Sequence, residues 1–185
     1  MLSKKAIKKI EQQGHVDLRR IQPERYGEQN AIFHATHGYG LPPKKMLTLF
    51  GDPSELKLLL TPLTITITFA DTSWVQYMFK PGFLFDEGSV PPALRSIVDN
   101  DELAMTMAAF PHDANFACHF FSFSETNSLF YRMLRYYGMG SLKAFLARLA
   151  VSSIAGKARW NKGRERAAWT ARHCTAAISD RGRVL

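Results

Sequence analysis

The sequence is poor in the residues that build disulfide-linked or metal-bound scaffolds. Only two of its 185 residues are cysteine, Cys118 and Cys174, and they form no C-x-x-C pair. A disulfide framework and a structural zinc site are therefore not expected. No apolar run approaches the roughly 18 residues that a transmembrane helix requires. The basic start, MLSKKAIKKIEQQG, lacks the apolar stretch of a signal peptide. We expect synthesis in the cytoplasm without export by a signal peptide.

Acidic residues are scarce towards the two ends of the chain and concentrated in its middle. Residues 1–25 carry seven Lys or Arg against three Asp or Glu, and residues 132–172 carry ten against one. Residues 26–131 carry five basic and eleven acidic residues. An acidic middle argues against a uniformly basic nucleic-acid-binding protein. The basic regions are either solvated faces or docking surfaces for phosphates, a membrane surface or an acidic neighbour.

The first part of the chain is predicted to contain a helical arm, a loop and a β-hairpin. An amphipathic helix is expected within residues 1–30, with Ile7 and Ile10 on one side, and a Gly- and Pro-rich loop in residues 31–53. The run LTITITFADTSWVQYMF alternates apolar and polar residues around a turn, which is typical of a hairpin. Its expected apolar face carries Ile65, Ile67 and Phe69.

The later part of the chain predicts a cluster of helices. Capping residues mark the expected starts at Asn100 or Asp101, Ser122 and Ser141. Glycines mark the expected ends of the last two at Gly138 and Gly156, and a more basic fourth helix follows. The predicted fold class is α+β: a small antiparallel hairpin or sheet packed against three to four helices, with the N-terminal helical arm.

This pattern predicts three regions along the chain. Residues 1–53 form the basic arm and the loop, and residues 54–160 form the α+β core domain. Residues 161–185 form a basic C-terminal helix and tail.

One stretch, AAFPHDANFACHFF at residues 108–121, places polar residues within an apolar helix. Pro111 costs a helix interior about 3 kcal/mol, and His112 and Asp113 need partners if they are buried. Seven acidic residues lie between Asp86 and Glu125. A histidine among carboxylates can act as a general base. Asp113 and Asp86 are also candidate ligands for Ca²⁺ or another divalent cation.

The partners of this pair are predicted from helix geometry. Successive helical residues point about 100° apart, so His112 and Asp113 are not expected to bind each other. Asp86 is expected to orient His112, and Asn127 is expected to reach Asp113. Ser89 is interpreted as a turn cap, because DEGSVP is not a nucleophile elbow. Two interpretations stay open, a catalytic site and a structural tie between a loop and a helix.

The order of these motifs resembles a family common in phages and prophages, domain of unknown function 1353 (DUF1353). The hairpin, PGFLFDEGSVP, HDANF, SETNSLFYRMLRYYG and a helix ending near ARW follow one another as in that family, over roughly residues 55–160. The family typically shows P-x-G-F-x-T-D-x-A-S-V-P, then H-D-Y-L-Y, then A-D-x-x-F. The matching positions are Asp86, Ser89, Val90, Pro91, His112 and Asp113.

Two positions depart from the family pattern. Asn127 stands where an aspartate is typical, and Phe116 replaces the final tyrosine. These changes remove a carboxylate and a hydroxyl, which counts against catalysis in this chain. The helix is also similar to that of the secretory phospholipases, in which a histidine activates water and the next aspartate binds calcium. The cysteine framework and glycine-rich calcium loop of those enzymes are missing here.

The resemblance implies a structural or accessory protein of a phage particle, in the tail or in the apparatus that enters the host cell. Its partners would be other virion proteins, bound through the basic terminal regions, and further copies of itself. It would be made in the host cytoplasm and then join the virion. The alternative is a hydrolase of envelope lipid or peptidoglycan, with His112 as base, Asp86 as its orienter and Asp113 as cation ligand or second acid. A nucleic-acid-binding accessory role rests on net charge alone.

Overall fold

The computed structural model describes residues 5–50, 53, 55–86 and 102–179. The strands are β1 (Ile7–Gln13), β2 (Leu18–Arg20), β3 (Leu56–Leu59), β4 (Leu63–Phe69), β5 (Trp74–Phe79), β6 (Leu84–Asp86) and β7 (Cys174–Ser179). The helices are α1 (Tyr26–His37), α2 (Glu102–Cys118), α3 (Phe123–Tyr136), α4 (Ser141–Val151) and α5 (Ile154–His173). Short 3₁₀ turns occupy Pro23–Arg25 and Lys44–Leu49. The predicted α+β class is confirmed.

The β4–β5 hairpin lies at the centre of a four-stranded antiparallel sheet of order β1-β4-β5-β7. The three residues predicted to form its apolar face are fully buried, while the intervening threonines are half-buried. A second antiparallel sheet has the order β2-β3-β6. Alternating burial therefore follows the alternating sequence, as expected for a sheet with one face on the core.

The predicted helical arm is wrong, because residues 7–13 form strand β1. The strand pairs with β4, and its register shifts between Ile7 and Lys9. This bulge adds one residue, so Ile7 lies opposite Phe69 and Ile10 opposite Ile67, on the same buried side of β4. A spacing of three residues normally indicates a helix face. Here the bulge puts two residues with this spacing on one face of a strand.

Two further boundaries differ from the sequence predictions. Helix α1 occupies part of the predicted loop and ends at His37, and Gly38 follows as a left-handed cap with a φ of 79°. At the other end of the chain, residues 174–179 form β7 on β5 instead of continuing the fourth helix. Pairing with β5 gives this segment backbone partners along the whole of the strand, which local propensity does not reveal.

The boundaries of the later helices agree with the sequence predictions in part. Ser122 and Glu125 make the predicted reciprocal capping box at the start of α3, and Gly138 follows its end with a φ of 93°. The predicted third helix is interrupted, since α4 ends at Val151 and Ser153 caps α5. The predicted cap at Asn100 or Asp101 lies outside the described residues. No helix in the described ranges is long and apolar enough to cross a bilayer.

Helix α2 continues through Pro111 and packs against α3, α5 and β6. Pro111 has no N–H to donate to the carbonyl of Met107, so this turn loses one helical hydrogen bond. Burial compensates, because Phe110 is fully buried and its ring lies 4.5 Å from that of Phe85, between centroids. This packing holds the residues after Pro111 against α3 and the end of β6.

Candidate functional site

His112 lies in an aromatic enclosure between α2 and α3. It is 5% exposed, and its ring centroid is 4.3 Å from that of Phe116 and 4.7 Å from that of Phe130. Its Nδ1 is 3.3 Å from Asp113 Oδ1, and its Nε2 is 3.2 Å from Asn127 Oδ1. Both ring nitrogens therefore face polar groups of the protein.

Asp113 connects this histidine to strand β6. The backbone N–H of Asp86 donates to Asp113 Oδ2 at 3.1 Å. The side chain of Asp113 is 20% exposed, so it is more accessible than the side chains of His112 and Asn127. One carboxylate thus joins the end of β6 to α2, and His112 extends the connection to α3.

The predicted pairing needs correction at three residues. His112 and Asp113 do approach each other, because the 100° rule sets the directions of the Cα–Cβ bonds but not the positions of the side-chain ends. Asn127 meets His112 instead of Asp113. Asp86 was expected to orient His112, whereas Asp113 and Asn127 face the two ring nitrogens and Asp86 uses its backbone N–H towards Asp113.

The amide of Asn127 determines where protons lie in this arrangement. Asn127 is 2% exposed, and its Nδ2 has no hydrogen-bond partner among the described residues. If Oδ1 faces Nε2, the ring donates at both nitrogens and is an imidazolium. If the amide is rotated, Nδ2 donates to Nε2, and a neutral ring donates from Nδ1 to Asp113. Either arrangement uses both nitrogens within the protein.

The other predicted site residues have different positions. Phe116 packs against His112 and, edge-on, against Trp160, with ring centroids 5.2 Å apart. Ser89 lies outside the described residues, as do all of residues 87–101. Within the ranges that are described, no three His, Cys, Asp or Glu side chains form a group that could hold a metal ion.

A second buried polar link on α2 was missed by the sequence analysis. Asn115 is fully buried, and its Nδ2 donates to Tyr77 Oη on β5 at 2.9 Å. Burial raises the pKa of Tyr77, so this hydroxyl stays protonated. The only signal in the sequence is the position of Asn115 three residues after His112, nearly on the same face of the helix.

The geometry is that of a connection between elements. A general base needs a nitrogen that can reach a substrate or a water molecule, whereas the ring nitrogens of His112 face Asp113 and Asn127 inside an aromatic enclosure. The pair therefore joins β6, α2 and α3 through charge-assisted or neutral hydrogen bonds. Asp113 is the member that an external molecule could contact.

Comparison with known proteins finds one relationship. No curated protein and no solved structure matches the chain. The model of a family described as "Protein of unknown function (DUF1353)" matches residues 63–151. This segment runs from β4 to the end of α4 and contains His112, Asp113 and Asn127. The resemblance found in the motifs is confirmed: residues 63–151 of this chain match the model of this family of proteins of unknown function.

Proposed function

We propose that this protein is a structural or accessory component of a phage or prophage particle, in the tail or the apparatus that enters the cell. In this proposal it binds a neighbouring particle protein through an exposed apolar face of α4. The observation that carries the proposal is the exposure of Leu142, Phe145 and Leu149, which are 69%, 47% and 50% exposed. Their spacing of three and four residues puts them on one side of the helix.

This α4 face is exposed although the helix already has a buried side. Ala144, Ala147 and Val151 pack into the core, so α4 is apolar on two sides. Exposed apolar side chains are common singly, but a contiguous row of large ones is typical of a protein–protein contact. The face lies within the segment that matches the family.

The charge around α4 favours an acidic partner. Residues 132–172 carry ten basic residues and one acidic residue. Arg132 is already engaged within the protein. It donates to the backbone carbonyls of Ser128 and Lys5, and its guanidinium lies 5.5 Å from the ring centroid of Phe69. Burial lowers the pKa of Arg132. In this proposal, docking would combine the apolar α4 face with the net positive charge of this region.

The closed geometry of the His–Asp pair also supports a structural role. A nitrogen buried between an aspartate and an asparagine suits the holding of a domain better than turnover. Hydrolysis of an envelope component remains the alternative proposal, and it rests on the partial exposure of Asp113 beside His112. This alternative requires activity on lipid or peptidoglycan that His112→Ala abolishes without unfolding the protein.

The experiment compares particles that carry the wild-type protein with particles from phages encoding variants. Mass spectrometry of purified virions should find the wild-type protein at a fixed ratio to the other virion proteins. Leu142→Ser with Phe145→Ser should remove it from virions while its melting temperature is unchanged. Leu103→Ser is the matched control, since Leu103 is 66% exposed and lies outside the α4 face. Absence of the wild-type protein from virions, or normal incorporation of the double variant, would contradict the proposal.

A further inference from the structure

A cavity of about 480 Å³ lies where the loop after α1, the turn between β5 and β6 and the last turn of α5 meet. Its volume falls within the range of about 300–1,000 Å³ that small-molecule sites occupy. It shares no lining residue with the His112 site. The residues that line it are Tyr39, Gly40, Lys80, Trp169, Arg172 and His173.

The backbone of the β5–β6 turn holds the aromatic walls in place. Tyr39 Oη donates to the carbonyl of Pro81 at 2.8 Å, and Trp169 Nε1 donates to that of Gly82 at 3.2 Å. His173 Nδ1 lies 2.9 Å from the Pro81 carbonyl. Gly82 has a φ of 92°, and a Cβ there would lie 2.9 Å from the ring of His173. The close approach of ring and turn therefore requires glycine at this position.

The protonation of His173 follows from its contacts. A carbonyl oxygen only accepts, so Nδ1 carries the proton and Nε2 is an acceptor in the neutral ring. The pKa of His173 is lowered to about 4, chiefly by burial and to a smaller extent by the nearby charges of Lys80 and Arg172, while the hydrogen bond to the Pro81 carbonyl acts in the opposite direction. Both cations therefore lie close to this ring, and the ring itself is uncharged at neutral pH.

Lys80 and Arg172 supply the charge of the cavity. Both side chains are exposed, and neither has a hydrogen bond or an ion pair with any carboxylate in the described part of the chain. Three aromatic rings and these two cations thus line one cavity. Rings of this kind stack on planar groups, and paired Lys and Arg side chains bind phosphate through charge-assisted hydrogen bonds.

We propose that this cavity binds a small molecule that combines a planar aromatic ring with a phosphate group, as a nucleoside monophosphate does. The ring would lie against Tyr39 and Trp169, and the phosphate would contact Lys80 and Arg172. Only Lys80 belongs to residues 63–151, so the site is built largely by the segments on either side of the family domain. It is independent of the α4 face and of the proposed role in a particle.

The test is a calorimetric titration of the full chain at neutral pH and low salt. Adenosine 5′-monophosphate is the probe, and adenosine and inorganic phosphate are the two partial probes. We expect one saturable site for the monophosphate, with weaker binding of each partial probe. Lys80→Gln and Arg172→Gln should each weaken it about tenfold, as expected for a lost charge-assisted hydrogen bond.

Arg19→Gln is the control, because Arg19 is an exposed cation on β2 that does not line the cavity. It should bind the monophosphate as the wild type does, and all three variants should keep the wild-type melting temperature. Failure of the monophosphate to bind at millimolar concentration would overturn the proposal. Equal affinity for inorganic phosphate and the monophosphate would do the same, as would unchanged binding by the Lys80→Gln, Arg172→Gln double variant.

Discussion

His112 is a buried polar residue whose hydrogen bonds replace those it would make with water. Burying such a group without partners costs several kcal/mol, and here Asp113 and Asn127 supply the partners. The aromatic rings of Phe116 and Phe130 add packing on either side. The motif therefore stabilises the contact between α2 and α3, and its contribution should be measurable in the free energy of unfolding.

His112→Ala is therefore expected to lower the free energy of unfolding by about 3 kcal/mol, since it leaves Asp113 and Asn127 without their common partner and opens a cavity between two rings. Denaturant unfolding of the two proteins measures this difference. His34→Ala is the matched control, because His34 is exposed on α1, and it should leave the midpoint unchanged. An unchanged midpoint for His112→Ala would mean that the ring does not hold the two helices together.

Among the secondary-structure elements, β1 contains a bulge that puts residues three apart in the sequence on the same face of a strand. Ile7 and Ile10 are three residues apart, yet both face the buried side of β4, because one extra residue is accommodated between Ile7 and Lys9. The strand also covers one edge of the hairpin, while β7 covers the other. Covered edges limit pairing with other chains.

Deleting Lys8 should have little effect on stability, because Ile7 and Ile10 would then be two residues apart and still on one face of a regular strand. Deleting Glu11 is the contrasting variant. It should turn both isoleucines to the wrong face and cost about 2 kcal/mol of apolar burial. Thermal unfolding of the two deletion variants tests this prediction. Equal loss of stability in both would show that the bulge does not set the register of β1 on β4.

In the whole molecule, the segments outside the family domain close around its hairpin. β1 and β7 extend the central sheet on both sides, and the end of α5 meets the β5–β6 turn through the contacts of His173 and Trp169. His173 is 4% exposed and joins the C-terminal segment to that turn. Charging this ring would disturb the contact between the two parts of the chain.

We therefore expect stability to fall as the medium becomes acidic. The pKa of His173 is lowered from 6.5 to about 4, chiefly by burial. Its contribution is fully present above pH 6.5 and is lost as the pH falls towards 4. A shift of this size corresponds to about 3 kcal/mol. Unfolding measured between pH 7 and pH 4 should show this loss, and it should be much smaller in His173→Asn, which keeps a donor for the Pro81 carbonyl. The same pH slope in both proteins would contradict the expectation.

Elements whose signals are local could be predicted from the amino-acid sequence. Alternation in LTITITF predicts the buried face of β4, and the Ser122–Glu125 box predicts the start of α3. The polar motif at His112 could also be located, because polar residues in an apolar helix need partners. Each of these features depends on residues close together in the chain.

Features that depend on residues distant in the chain could not be predicted in this way. Strands β1 and β7 form because β4 and β5 offer hydrogen-bonding edges, and no propensity within residues 7–13 or 174–179 encodes this pairing. The partners of His112 depended on the packing of α2 against α3, which brings Asn127 to the ring. The cavity near the β5–β6 turn joins residues 39, 80 and 173, which are far apart in the chain, and such a juxtaposition is visible only once the chain has folded.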